Sequence, residues 1–495
     1  MKKRFLVGIF LSMFTCISCE KWLNVKPELD IYETTMFESA QGYYIALNGL
    51  YVDMATPTLY GQELTWGAME AWGHSYTIDE NYLRPYFQIM NYQYDKSEAK
   101  ELAEAIWLTS FRVIAEANNL INNLSKDDKV VFTGEEITKN MILGEALAIR
   151  AMLHFDLVRI FAQAPIVDNG SSTTVPYVTT YPSKVNPPIP TKEVLQQIMT
   201  DLDSAKILLR PFDGVTTGAG YISSFKGNTV NYRLKLTGST GGEAEDDFFK
   251  FRCNRMNYYA VTQLLARIAL YAGNMPKAEE NAYEIIAAVD KKVPWTFVDP
   301  ACIGDPAALS IVEPRLHSEI VFGTYYSKLK EFTEIFFGDN SRTKLYIEDK
   351  LGIYGTNLED VRLRAIPENI HTKYTLNGKV KDQILAAQDI IPLMRIPECF
   401  FIYAESCFDR NQSEAIRIYN KFTEARGNKS LSLSSDVTKE IFMENLIQEY
   451  RREYLSEGQI VFLYKRLNIP LRTSQGDIIN NGNLVMPVPD SEAGI

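Results

Sequence analysis

Helical periodicity dominates this sequence of 495 residues. Apolar side chains recur three and four positions apart, which places them on one face of an α-helix, whereas half-buried strands would show simple alternation. A chain in which long stretches carry this pattern is expected to be mostly α-helical. The pattern covers nine segments, which are residues 36–54, 98–124, 135–162, 191–209, 256–271, 276–289, 397–408, 413–425 and 437–465.

Three tracts between the helical segments are expected to be loops. Residues 166–190 contain five prolines, residues 211–247 are rich in Gly, Ser and Thr, and residues 340–392 mix polar residues with tyrosines. A helical pattern resumes after each tract, so we interpret the tracts as insertions into one fold and not as linkers between domains.

Some helical segments form related pairs. In the clearest pair, a helix ending at Tyr271 is followed by Gly273, and Pro276 opens the next helix. Small side chains on both helices would let antiparallel neighbours pack closely, as in tetratricopeptide repeats. The scheme returns at residues 400–419, and residues 141–162 match it in part, although an ordinary alanine-rich helical domain is the alternative. The small residues of the clearest pair are Ala266, Ala269, Ala278 and Ala282.

Composition restricts the class of protein further. Hydrophobic residues make up 46% of the chain and aromatic residues 12%, which excludes a disordered or low-complexity protein. The formal net charge is −11 at neutral pH. Such a charge repels polyanions, so we expect no nucleic-acid partner.

The first 18 residues have the organisation of a secretory signal peptide. A basic start precedes an apolar run at residues 5–14, which is too short to cross a bilayer. The small residue before Cys19 resembles the lipobox of bacterial lipoproteins. We therefore expect cleavage of residues 1–18 and an anchor of acyl chains, such as palmitate, on Cys19. A redox or metal-binding pair formed by Cys16 and Cys19 is the alternative.

Sequence patterns for catalysis and cofactor binding are missing. The chain has four histidines and contains no H-E-x-x-H, P-loop, G-x-S-x-G or G-x-G-x-x-G pattern. His154 lies among apolar helical residues and is expected to be structural. The acidic run at residues 243–247 lacks the ligand spacing of an EF-hand, so we interpret it as a solvated loop. We therefore expect no catalytic residue, no cofactor and no metal site.

Charged residues also occur inside apolar helical segments. Buried charges are tolerated only when they are paired, and planar guanidinium groups pair well with carboxylates. We therefore expect ion pairs that hold neighbouring helices together and not a proton-transfer site. These residues are Glu145, Arg150, Arg395, Glu398, Glu405, Arg426, Glu449, Arg452 and Glu453.

Aromatic residues crowd the stretch 66–87, where glycine and proline interrupt the helical pattern. A sugar has an apolar CH face and a polar rim, so a glycan site needs flat rings beside hydrogen-bonding side chains. A second group of rings lies in the loop-rich middle of the chain. The alternative is that these rings belong to the hydrophobic core. The candidate ligand-binding residues are Trp66, Trp72, Tyr76, Tyr82, Arg84, Trp295, Tyr325 and Tyr354.

An ordered series of motifs resembles the SusD/RagB family of outer-membrane lipoproteins from Bacteroidetes. The series begins after Cys19 with residues 22–27 (WLNVKP), and its most recognisable helix starts at residues 144–151 (GEALAIRA). No single motif is specific, and the resemblance depends on their order along nearly the whole chain. The series continues with residues 190–205, 392–405, 420–427, 448–466 and 487–489.

The resemblance implies a single SusD-like fold over residues 19–495, with an N-terminal part over about 19–230 and a C-terminal part over about 256–495. About four tetratricopeptide-like helix pairs would carry a loop-rich ligand-binding part. The implied protein is a lipid-anchored outer-membrane lipoprotein at the cell surface and not an enzyme. It would bind a nutrient, expected to be an oligosaccharide, and deliver it to a SusC-type TonB-dependent transporter. A peptide-binding RagB-type protein and a surface glycoside hydrolase are the alternatives.

Overall fold

The protein was analysed as a computed structural model. The structure describes residues 35–126, 129–214, 247–249, 251–291, 295–299, 315–338, 342–356, 359–375, 389–478, 480 and 482–492. The leader, the expected anchor Cys19 and most of the 211–247 tract with its acidic run lie outside the described residues.

Helices dominate the described residues, as the sequence predicts. They contain fifteen α-helices and six short strands. The helices are α1 (Ala40–Met54), α2 (Ala68–Trp72), α3 (Arg84–Met90), α4 (Ser97–Lys126), α5 (Glu136–Phe161), α6 (Pro165–Asp168), α7 (Thr191–Leu209), α8 (Tyr258–Tyr271), α9 (Met275–Asp290), α10 (Leu329–Phe337), α11 (Lys350–Tyr354), α12 (Pro397–Cys407), α13 (Gln412–Ala425), α14 (Lys439–Tyr454) and α15 (Ile460–Leu467). The strands are β1 (Tyr76–Thr77), β2 (Ile320–Tyr325), β3 (Tyr346–Ile347), β4 (Ile390–Arg395), β5 (Leu471–Thr473) and β6 (Gly476–Ile478).

Asparagine caps begin three of the helices that form the helix pairs. The side chain of Asn257 accepts hydrogen bonds from the backbone N–H groups of Tyr259 and Ala260, both at 2.9 Å, at the start of α8. Asn274 and Asn411 cap α9 and α13 in the same way. These caps satisfy N–H groups that have no partner inside the helix, so the helix starts are fixed locally by the sequence.

The longer helices pack into one continuous stack. Helix α4 lies against α5, α5 against α7, α7 against α8, α8 against α9, α9 against α12, and α12 against α13. Two predicted helix pairs are therefore present as α8–α9 and α12–α13, and the partly matching helix over residues 141–162 lies in α5, which packs against α7. Small side chains at the α8–α9 contact are fully buried, which allows the close approach. These side chains are Ala266, Ala269, Ala278 and Ala282.

The predicted helix over residues 437–465 is wrong in one respect, because the structure divides it into α14 and α15. Between them, Ser456 and Gly458 have positive φ angles of 65° and 70°. A Cβ atom at Gly458 would lie 2.5 Å from the carbonyl oxygen of Leu64. The break is therefore made by a close contact with a segment almost 400 residues earlier, which periodicity cannot reveal.

The 340–392 tract is also more ordered than the loop that was predicted. Strand β4 begins within it and pairs with β2 in an antiparallel ladder whose core positions are buried. Strand β3 pairs with β1, which joins the tract to the aromatic stretch near the N-terminus. These short ladders lie beside the helical stack and connect it to the region that holds the candidate site.

The charges embedded in the helical segments are paired, as predicted. Arg150 on α5 contacts Asp201 on α7 through two hydrogen bonds of 2.8 and 2.9 Å. Arg466 on α15 contacts Glu405 on α12 through two bonds of 2.7 Å. Because each pair joins two different helices, the pairs fix the helices relative to each other.

Each helix in the part of the chain that the structure describes is too short or too polar to cross a bilayer.

Candidate functional site

Five of the eight candidate ligand-binding residues lie in the protein core. Trp66, Trp72 and Tyr76 have no exposed surface, and Trp295 and Tyr354 are each 2% exposed. A ring that stacks on a ligand must present a face, and these rings present none in this structure. Their burial corrects the prediction that these five contact a ligand and supports the alternative that they belong to the hydrophobic core.

Internal contacts explain why the two N-terminal tryptophans are buried. The Nε1–H of Trp66 donates to the carbonyl oxygen of Gly61 at 3.1 Å, and that of Trp72 to the hydroxyl of Tyr94 at 2.7 Å. The ring of Trp66 packs edge-on against Phe336, with 5.2 Å between centroids. Their polar atoms are satisfied and their faces covered, as a buried tryptophan requires.

The other three buried rings are held in the same way. The Nε1–H of Trp295 donates to the carbonyl oxygen of Ile320 at 2.8 Å. The hydroxyl of Tyr354 donates to the carbonyl oxygen of Arg452 at 2.8 Å, and Tyr76 donates to the hydroxyl of Ser456 at 3.0 Å. No polar atom of these rings is left for a ligand.

An open cleft of about 470 Å³ lies beside this buried aromatic cluster. It is formed by the residues after a single turn of π-helix (Pro57–Gly61), by the start of α3, by the first turns of α4 and by α10. The cleft is large enough for one or two sugar rings. Its apolar and aromatic wall consists of Tyr82, Leu83, Pro85, Tyr86, Leu102 and Phe336.

Two of the remaining candidates belong to this cleft. Tyr82 lines it and is 50% exposed, so its ring can meet a ligand. Arg84 stands at the rim, where its Nη1 lies 3.3 Å from a carboxylate oxygen of Glu98, a lining residue. Tyr325 is 56% exposed at the end of β2 but is not among the residues that line the cleft.

A hydrogen-bonded group forms the floor of the cleft. The amide nitrogen of Gln62 donates to the Tyr86 hydroxyl at 2.7 Å and to Glu63 at 3.0 Å. The Tyr86 hydroxyl donates to Glu63 at 3.2 Å. Gly67 packs under this group, and a Cβ atom there would lie 2.7 Å from the Tyr86 hydroxyl. The floor therefore requires glycine at position 67 to keep its geometry.

Two carboxylates that line the cleft, those of Glu63 and Glu98, have pKa values shifted in opposite directions. Burial raises the pKa of Glu63 to about 7. Hydrogen bonds from Gln88 and Ser97 lower the pKa of Glu98 to about 2. Glu98 therefore carries a negative charge at any physiological pH, whereas Glu63 titrates near neutrality.

Sequence reasoning missed most of the polar lining. The stretch 66–87 directs attention to Tyr82 and Arg84, but it stops short of the acids at the start of α4. Their spacing was the available signal, because positions i, i+3 and i+4 of a helix share one face. The missed lining residues are Gln62, Glu63, Glu98, Glu101, Leu102 and Phe336.

A second cavity, of about 50 Å³, lies inside the helical stack. It is too small for a sugar ring and has room for only a few water molecules. Ion pairs such as Arg267 with Glu398 form part of its wall. The open cleft is therefore the better candidate for ligand binding.

Residues 21–211 match the SusD-like family described as starch-binding and associating with the outer membrane. Two curated relatives come from Formosa agariphila. SusD-like protein P2 is 22% identical over 230 residues, which is 45% of this chain and 42% of the relative. SusD-like protein P25 is 28% identical over 170 residues, which is 32% of this chain and 30% of the relative. This chain thus matches less than half the length of either relative.

Solved structures share the fold over nearly the whole chain. A SusD superfamily protein from Bacteroides vulgatus has a TM-score of 0.68 at 20% identity, over 92% of this chain and 96% of that one. One from Bacteroides thetaiotaomicron has a TM-score of 0.67 at 19% identity, over 91% and 97%. A SusD-like carbohydrate binding protein from Bacteroides vulgatus reaches 0.63 at 17%, over 91% and 95%. The resemblance and fold predicted from the sequence are confirmed.

Proposed function

This chain is SusD-like in its matched region and in its fold, and from that premise we propose that it binds an oligosaccharide nutrient without transforming it. The cleft beside the buried aromatic cluster is the proposed site. The observation that carries the proposal is the half-exposed ring of Tyr82 in a cleft whose floor offers amide and carboxylate groups. A flat ring suits the CH face of a sugar, and these polar groups suit its hydroxyls.

The proposal extends to the place and partner of the protein. A lipid anchor on Cys19 would hold it at the outer membrane, with the ligand-binding part facing outwards, over the single fold of residues 19–495. A SusC-type TonB-dependent transporter would receive the bound oligosaccharide. The motif series, the lipobox-like leader and the description of the matched family as associating with the outer membrane support this arrangement.

Calorimetric titration with a panel of neutral hexasaccharides and with peptides tests the proposed ligand class. Substitution of Tyr82 by Ala should weaken binding of the recognised glycan by about 1–3 kcal/mol, the scale known for bases that stack on aromatic side chains. The matched control is Tyr283→Ala. Tyr283 is 52% exposed, which is close to the 50% of Tyr82, but it does not line the cleft. Binding of peptides alone would refute the glycan proposal in favour of a RagB-type function.

Hydrolysis is the second candidate, and one observation favours it. Glu63 and Glu98 line one cleft with pKa values driven apart, as in glycosidases that use one acid and one base. However, both oxygens of Glu63 already accept internal hydrogen bonds, from Tyr86 and from the backbone N–H of Ala68. We expect no shorter products when the protein is incubated with the bound glycan. Product release that is abolished by Glu63→Gln would establish an enzyme instead.

A further inference from the structure

The lining of the cleft is one-sided in charge. Three of its ten lining residues are acids, namely Glu63, Glu98 and Glu101, and none of the described lining residues is Lys or Arg. In the part of the chain that the structure describes, Arg84 at the rim contacts the lining acid Glu98 through a side chain that is 60% exposed. Lys96 and Lys100, which are close to the lining acids in sequence, pair with Asp95 and Asp490 instead. The acids that line the cleft therefore outnumber the cations paired with them.

Glu63 is the most deeply buried of the three acids. Its carboxylate is buried in the floor and accepts hydrogen bonds only from neutral donors, which are Gln62, Tyr86 and the backbone N–H of Ala68. It forms no ion pair with any residue that the structure describes. Above about pH 7, where Glu63 is ionised, a second negative group placed beside it would therefore meet repulsion that no ion pair of Glu63 offsets.

We propose that this acidic lining acts as a charge filter, which admits uncharged glycans and rejects glycans that carry carboxylate or sulfate groups. Glu63, Glu98 and Glu101 are the specificity-determining residues. Carboxylates accept hydrogen bonds from sugar hydroxyls, so the same groups that repel anions bind a neutral sugar. This inference rests on the proposed function, because it concerns the same cleft.

Matched ligands test the filter. Maltohexaose, cellohexaose and a galactose hexamer would each be titrated beside the same oligomer with its primary hydroxyls oxidised to carboxylates. Whichever neutral hexamer binds should bind at least about tenfold more tightly than its oxidised form at low salt, and the ratio should shrink as salt screens the acids. The oxidised forms differ from the neutral forms mainly in charge, so the ratio isolates the electrostatic contribution.

Substitutions locate the filter. Glu101→Gln should reduce the neutral-to-oxidised ratio without unfolding the protein, because Glu101 is exposed. Glu98→Gln and Glu63→Gln should reduce it too, and the exposed Glu101 variant keeps the test valid if the buried substitution at Glu63 harms folding. The control is Glu80→Gln, an exposed acid near the cleft that does not line it, which should leave the ratio unchanged.

The outcomes separate this inference from the proposed function. Wild-type protein that binds an oxidised hexamer as tightly as the neutral one would overturn the filter and leave glycan binding intact. A wild-type preference that survives all three lining substitutions would overturn the assignment to these acids. Absence of binding to every glycan would refute the proposed function, and the filter with it.

Discussion

Two of the regions in which this protein buries carboxylates compensate the buried charge in opposite ways. In the C-terminal half, acids and arginines form a closed network inside the fold. In the segment 57–73, which lies under the cleft, Glu63 and Glu70 are buried and form no ion pair with any described residue, although the charge of Lys373 acts weakly on Glu70. In the first region the central carboxylate, Glu453, stays charged at physiological pH. In the second region Glu63 and Glu70 gain or lose a proton near neutral pH.

The closed network is centred on Glu453 of α14. Arg426 contacts it at 2.7 Å and also contacts Glu319 with two hydrogen bonds of 2.8 and 2.6 Å. Arg362 approaches Glu453 to 3.0 Å. Burial alone would raise the pKa of Glu453, but the guanidinium groups of Arg426 and Arg395 hold it well below its usual range. Glu453 therefore stays ionised at physiological pH.

The segment under the cleft lacks such compensation. Glu70 on α2 is fully buried, and one of its oxygens accepts the backbone N–H groups of Glu457 at 2.9 Å and Gly458 at 2.6 Å. Burial raises the pKa of Glu70 to about 7. The carboxylate of Glu70 thus connects the segment 57–73 to the α14–α15 break, and it gains or loses a proton near neutral pH.

Breaking the closed network should have the largest effect. Substitution of Arg426 by Met leaves Glu319 and Glu453 partly uncompensated in the core, and such losses reduce the free energy of unfolding by about 3–5 kcal/mol. Urea denaturation at pH 7.5 measures it. The control is Arg417→Ala, which removes a pair with Glu414 whose arginine is 56% exposed and should cost less than about 1 kcal/mol. Equal effects of the two variants would contradict the role given to the network.

Titration of Glu70 should have the next largest effect. Its pKa rises on folding from an ordinary value of 4.5 to about 7, so the native state holds the proton more tightly than the unfolded state. The stability that Glu70 contributes is therefore complete below about pH 4.5 and is lost as pH rises through about 7. The equivalent free energy is about 3 kcal/mol at most. Glu70→Gln should remove this dependence, so that the variant gains on the wild type between pH 5 and pH 8 in urea denaturation.

A contrasting variant sharpens the Glu70 experiment. Glu453→Gln should destabilise the protein by a similar amount at pH 5 and pH 8, since the pKa of Glu453 lies well below both values. Glu70→Gln and Glu453→Gln should thus differ in how their effects change with pH. The same profile for both variants would mean that the two regions do not differ as proposed.

The helical part of the fold could be predicted because its determinants are local. Spacing sets each helix face, and residues such as Asn257 and Asn274 set the starts. The need to pair buried charges predicted that Arg426 would have an acidic partner. It could not predict which one, because Glu319 and Glu453 come from different parts of the chain.

The candidate site could be predicted only in part. The aromatic stretch directs attention to Tyr82, which lines the cleft, but a tryptophan is equally suited to a core and to a binding surface. Trp66 is buried because α10, more than 250 residues later, lays Phe336 against it. The cleft exists for the same reason, since Phe336 also forms one of its walls. Contacts between such distant residues leave no mark on local sequence patterns.

The smallest predicted difference between a variant and its control tests the junction between the two regions at Gly458. Gly458→Ala introduces a Cβ atom 2.5 Å from the carbonyl oxygen of Leu64, in a residue whose φ is +70°. Gly273→Ala is the matched control, because its φ is +76° and nothing lies within 4 Å of the added atom. Both variants should lose about 1 kcal/mol from backbone strain, and Gly458→Ala should lose about 1–3 kcal/mol more because its Cβ atom collides with the segment 57–73. Equal losses in urea denaturation would show that the segment 57–73 moves away from the added Cβ atom at no cost in free energy. The close contact between this segment and the α14–α15 break would then not couple the cleft to the charged network.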